Sequence, residues 1–154
     1  MKQSELIANL EATASALAKR AVTVRIRQPI NEQARGETYH AGGGRVVIDL
    51  APEVFDSLRG FVRTFTHEAA HAKLHAAHAP TKDVNRPSAS FKISAVTMAG
   101  LLTHPRMSKR ETEAESQAQA WRDAIRERYI IAANTPTSDE NLISVLRVLY
   151  RIGE

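Results

Sequence analysis

The sequence predicts an α+β fold: a small sheet of about three antiparallel strands, preceded by one amphipathic helix and followed by three more helices. Three observations carry this. Val22, Val24 and Ile26 alternate with Thr23, Arg25 and Arg27, the period-two signature of a half-buried strand. The glycines Gly42-Gly43-Gly44 separate Glu37–His40 from the apolar stretch Arg45–Asp49, which is the pattern of a hairpin. Apolar residues at helical spacing recur at the start, middle and end of the chain.

Leu6, Ile7, Leu10, Ala14 and Leu17 form the stripe of an opening helix over about residues 4–20, with Ser4 as its N-cap. The strand at 22–26 ends before Pro29, and the hairpin follows. Pro52-Glu53 suits a helix start, and Gly60 a break or bend before a helix over about 61–78. Residues 79–107 contain Pro80, Pro87 and Pro105 around Phe91–Met98, and read as a strand pair or as a loop folded over the neighbouring helix. A second long helix is expected over about 108–131, broken by Asn134-Thr135-Pro136. Thr137 with Glu140 forms a capping box for a last helix whose apolar face is Leu142, Val145, Leu146, Leu149 and Ile152.

A chain of 154 residues suits one domain, spanning 1–154, and no repeat or linker divides it. No segment approaches the roughly eighteen uninterrupted apolar residues of a membrane span. The first twenty residues do not read as a signal peptide, so no membrane association and a cytoplasmic location are expected. The absence of cysteine agrees with that compartment and removes thiolate metal sites and cysteine nucleophiles. Any metal would be held by histidine and carboxylate. A net charge of +4 permits nucleic acid as a partner, but the basic residues are scattered and aromatics amount to only 5%, so a solvated surface accounts for most of them.

His67-Glu68-Ala69-Ala70-His71 is the most informative stretch. A four-residue step on an α-helix turns roughly 400° and rises about 6 Å, so both imidazoles converge on one point. Glu68 lies about 100° further round, badly placed as a ligand but well placed as a general base toward water. The alternative is an ordinary hydrogen-bonded pair of core histidines, because the helix is largely apolar and such rings need polar partners. A catalytic zinc takes three protein ligands, and Glu111, Glu113 and Glu115 near the start of the second long helix offer the third. Glutamates at a helix start also interact favourably with the helix dipole, with no metal involved. Glu111 and Glu115 share a face roughly opposite to Glu113, so all three cannot reach one ion.

The pair of segments His-Glu-Ala-Ala-His-Ala-Lys-Leu-His (67–75) and Glu-Ala-Glu-Ser-Gln-Ala (113–118) resembles the ImmA/IrrE-type metallopeptidases and the related metallopeptidase domain of ArdC-like antirestriction proteins. The likeness covers about residues 45–131. It implies a zincin-like fold and a Zn2+ ion on His67, His71 and Glu113, with Glu68 as the base. Glu111 and Glu115 are the fallbacks for the third ligand. The implied activity is zinc-dependent endopeptidase cleavage of a protein or peptide substrate, such as a transcriptional repressor. A non-proteolytic antirestriction or nucleic-acid-binding role is the alternative. The chain departs from the family in having Glu115 and Gln117 where Asn and an aromatic are common, and in the length of 79–107.

Leu74 and Ala77 stand where the metzincin pattern requires Gly and His, which excludes that group. A SprT-like arrangement would use a third histidine, for which His104 is available, but lacks its cysteines here. His75 and His78 fall on the same arc of the helix as His67 and His71. His75 lies about 6 Å beyond His71, which suits support of the ligands or helix packing, and His78 suits a solvated helix end. A substrate strand is expected to add to an edge of the sheet. Tyr39, His40 and Tyr129 are equal candidates to stabilise a developing oxyanion.

Overall fold

Three strands, β1 (Val22–Ile26), β2 (Gly36–His40) and β3 (Val46–Leu50), form a sheet in the order β1-β3-β2 in the computed structural model, which describes residues 1–41, 43–75 and 108–154. The helices are α1 (Gln3–Ala18), α2 (Leu58–Leu74), α3 (Lys109–Arg126) and α4 (Asp139–Gly153), with a 3-10 helix at Pro52–Asp56. The fold is α+β, as the sequence predicts.

The hairpin forms as expected. β2 runs antiparallel to β3, with Gly36 opposite Leu50 and His40 opposite Val46. Gly43 and Gly44 adopt φ of 60° and 78°, which favours glycine at the turn. The first strand corrects the prediction: β1 pairs parallel to β3, Val22 with Val46 through Ile26 with Leu50, so the sheet is mixed rather than antiparallel. Alternation tells which side of a strand is buried but not which neighbour it takes or in which direction. The deciding feature is β3, in which all five residues are buried, as befits the central strand. The β1–β3 register is pinned by Arg25, which grips its partner Asp49 with two hydrogen bonds of 2.6 and 2.9 Å.

Helix boundaries shift in ways that capping explains. α2 begins at Leu58, with the Ser57 hydroxyl accepting from Gly60 N–H, so Gly60 lies in the first turn and breaks nothing. α3 starts after Ser108 and ends at Arg126, short of 131. Ser138, not Thr137, caps α4, while the Thr137 hydroxyl donates to the Phe55 carbonyl. α1 starts at Gln3 without a side-chain cap, so Ser4 is already helical. Residues 76–107, including the predicted end of the motif helix, His78, His104 and the proline-containing stretch, lie outside the described residues.

Among the described residues, nearly all the buried apolar side chains join one cluster. It runs from Leu10 and Leu17 of α1 through Val24, Ile48 and Leu50 of the sheet to Phe61 and Phe65 of α2, then to Trp121 of α3 and Leu149 of α4. Phe55, Phe61 and Phe65 stack in succession with centroids 5.3 Å apart. α2 lies between the sheet and α3, and Ala69, Ala70, Ala114 and Ala118 are fully buried, small side chains that let the two helices approach. Among the described residues, no helix is long and apolar enough to cross a membrane.

Candidate metal centre

The C-terminal half of α2 presents His67, His71 and His75 at four-residue intervals toward the first turns of α3. Two imidazole nitrogens and the two oxygens of one carboxylate converge there. The Glu111 carboxylate lies 2.8 Å from His67 Nε2 through Oε2 and 2.9 Å from His71 Nε2 through Oε1, and the two Nε2 atoms are 3.2 Å apart. Zinc bound tetrahedrally at about 2.0–2.1 Å holds its ligand atoms about 3.3 Å from one another. His67, His71 and Glu111 each offer one ligand atom, all within 4.8 Å of one another, a grouping that a small divalent ion can span after modest adjustment. The two imidazole nitrogens at 3.2 Å are joined by a proton in the metal-free protein, and a metal ion could take that proton's place.

The third position corrects the sequence reading. The structure brings Glu111 to His67 and His71, whereas Glu113 turns away and places Oε2 2.9 Å from His75 Nε2. The cause lies in the rotation of α3 about its own axis. Ala114, Ala118, Trp121 and Ile125 form the buried stripe of that helix. Relative to Ala114, Glu111 and Glu115 lie about 60° and 100° to one side and Glu113 about 100° to the other. The first flank meets His67 and His71, and the second meets His75.

Glu115 does not compete for the ion position. Its Oε2 lies 3.1 Å from His67 Nδ1, behind the ring, and its Oε1 is gripped by the Arg122 guanidinium. Arg122 also reaches the Thr66 hydroxyl at 3.2 Å. Neither Arg122 nor Thr66 stands out in the sequence, although the seven-residue step from Glu115 to Arg122 puts them on one face of the helix.

Glu68 lies on the sheet side of α2, buried, with the Thr38 hydroxyl 2.9 Å from Oε1 and 3.0 Å from the Glu68 carbonyl oxygen. Gly36 makes this approach of β2 possible. A Cβ there would fall 2.7 Å from Thr64 Cγ2 and 3.0 Å from Glu68 Cγ, too close for either to stay in place. Thr38 and Gly36 carry no sequence signal of their own.

The charges respond to this crowding. Hydrogen bonds from His67 and His71 hold the Glu111 carboxyl far below the usual carboxylate range. The hydrogen bond to Glu111 raises the His67 imidazole, against the opposing effect of burial. Burial pushes Glu68 up, opposed by the neighbouring imidazoles of His71 and His67 and by Thr38. The His75 hydrogen bond lowers Glu113.

A cleft of about 980 Å³ opens over these groups, with Arg35, Gly36 and His40 on the sheet side and Arg63, His67 and Glu111 on the helix side. Of the three side chains considered for an oxyanion, only His40 lines it. The Tyr39 hydroxyl is taken up by Ile30 N–H at 2.8 Å and Glu37 at 3.1 Å, and that of Tyr129 by Asn141 at 3.0 Å. Comparison with protein-family models, with curated proteins and with solved structures found no match to this chain.

Proposed function

We propose that the protein is a zinc-dependent metallo-endopeptidase that hydrolyses a peptide bond in a protein substrate, with His67, His71 and Glu111 as ligands and Glu68 as the base. The observation that carries this reading is the convergence of two imidazole nitrogens and one carboxylate within 3.2 Å of each other, beside a buried carboxylate one residue from the first ligand. Two histidines and a glutamate form a donor set suited to catalytic zinc, which keeps a further position open. When bound, zinc would supply a Lewis acid that polarises the scissile carbonyl and acidifies water.

The remaining chemistry falls to the chain. Glu68 takes the proton from the attacking water and passes it to the departing amine, a two-way transfer favoured by a carboxyl whose pKa is raised by burial. Thr38 fixes the orientation of Oε1. The substrate backbone occupies the cleft between β2 and α3, where His40, Arg35 and Arg63 are side chains able to donate to a developing oxyanion.

The test pairs metal analysis with Glu68→Gln. Purified without chelators, the protein should carry close to one equivalent of zinc, and the variant should keep that zinc and its fold. Cleavage of proteins encoded by neighbouring genes should fall by about 10²–10⁴-fold. Retention of the biological activity in Glu68→Gln would defeat the peptidase reading, and less than about half an equivalent of zinc would defeat the metal centre itself.

A further inference from the structure

His75 and Glu113 are left over once the ligands and the base are assigned, yet neither is idle. His71 Nδ1 lies 3.0 Å from His75 Nδ1, and His75 Nε2 lies 2.9 Å from Glu113 Oε2. Two groups thus stand in line behind His71. Without a metal, His71 Nε2 donates to Glu111; once a cation takes the place of that proton, the protons in this line have one consistent order. A carboxylate can only accept, so His75 Nε2 carries the hydrogen and donates it to Glu113. A neutral His75 then has a bare Nδ1, which must accept from His71 Nδ1–H. His71 is left with its lone pair on Nε2, the nitrogen that faces His67 and Glu111.

We infer that His75 and Glu113 are positioning residues: a relay from Glu113 through His75 fixes the tautomer and ring orientation of His71 so that its Nε2 lone pair is presented to a divalent cation. This rests on reading His67, His71 and Glu111 as a metal centre. The relay also makes His71 a better donor, because the negative charge of Glu113 is felt through two polarised hydrogen bonds. Helix packing alone does not account for the arrangement. An apolar side chain would fill the place of His75, whose residue is 8% exposed, and the Glu113 side chain is 44% exposed. His75 also meets Glu113 through its far nitrogen, on the opposite side of the ring from His71.

The test uses the full chain and Zn2+ itself. Long-range ¹H–¹⁵N spectra of the zinc-loaded protein should show His75 as the neutral Nε2–H tautomer and His71 protonated at Nδ1. A His75 protonated at Nδ1 would overturn the relay. Zinc affinity, measured by competition with a chromophoric chelator, should weaken about 10–100-fold in Glu113→Ala and in His75→Phe. Glu113→Gln keeps an accepting oxygen but not the charge and should recover part of the loss, which a role for the charge in folding alone would not produce. If Glu113→Ala and His75→Phe bind zinc as tightly as the unaltered protein, the relay falls and the metal centre stands. If the unaltered protein binds no zinc, or Glu111→Ala binds it equally well, the metal centre falls and the relay with it.

Discussion

The two halves of α2 do different work although they belong to one continuous helix. From Leu58 to Thr66 its inward face is aromatic, with Phe61 and Phe65 fully buried and stacked against each other. From His67 to the His75 cap, the buried side chains apart from Glu68 and His75 shrink to alanine, and the face toward α3 becomes a chain of imidazoles in contact with carboxylates. The first half anchors the helix by apolar area, and the second spends little area but sets angles and distances. Stability and site geometry are therefore separable along α2, and substitutions can be chosen to strike one without the other.

The largest effect is expected from Phe65→Ala. Removing a fully buried ring should cost about 3–5 kcal/mol of stability, read as a lowered urea midpoint. The fraction that remains folded should still bind one zinc per chain, and a lost stoichiometry at unchanged stability would break the comparison. Glu111→Ala should do the reverse. It should lower the zinc-free urea midpoint far less than Phe65→Ala does, because the side chain is 45% exposed and solvent screens the hydrogen bonds it makes to His67 and His71. It should weaken zinc binding in calorimetric titration by about 3 kcal/mol, one ligand's share of the roughly 10–16 kcal/mol found for four-ligand zinc sites. Gly36→Ala sits across the boundary, since the new methyl group would press on both Thr64 and Glu68. A stability loss of about 1–3 kcal/mol should accompany slower turnover at undiminished zinc affinity, whereas turnover equal to that of the unaltered protein would show that Glu68 tolerates the displacement.

What was legible in the sequence follows the range of the forces involved. The convergence of His67 and His71 is a local property of a four-residue step, and the glycine turn between β2 and β3 is equally local. The choice among Glu111, Glu113 and Glu115 is not local. It depends on how α3 is rotated against α2, and the stripe of Ala114, Ala118, Trp121 and Ile125 fixes that rotation while leaving two flanks. Reading the stripe shows that Glu113 stands apart from the other two but not which flank faces the histidines. The direction of β1 is hidden for a related reason, since Val22, Val24 and Ile26 announce a buried face and β3 decides the order. Thr38 and Arg122 could not be found because a lone threonine or arginine becomes informative only beside the groups it holds.

The span between His71 and Glu111 gives the bridge across α2 and α3 a mechanical meaning. An ion shared by these two residues would act as a clasp closing a chain loop of about forty residues, which a chain-entropy account values at about 4 kcal/mol, most of it by restricting the unfolded ensemble. Loss of the ion would then loosen the hold of α3 on the rest of the molecule as well as silence the site. Metal supply would then set how long the protein survives in the presence of proteases.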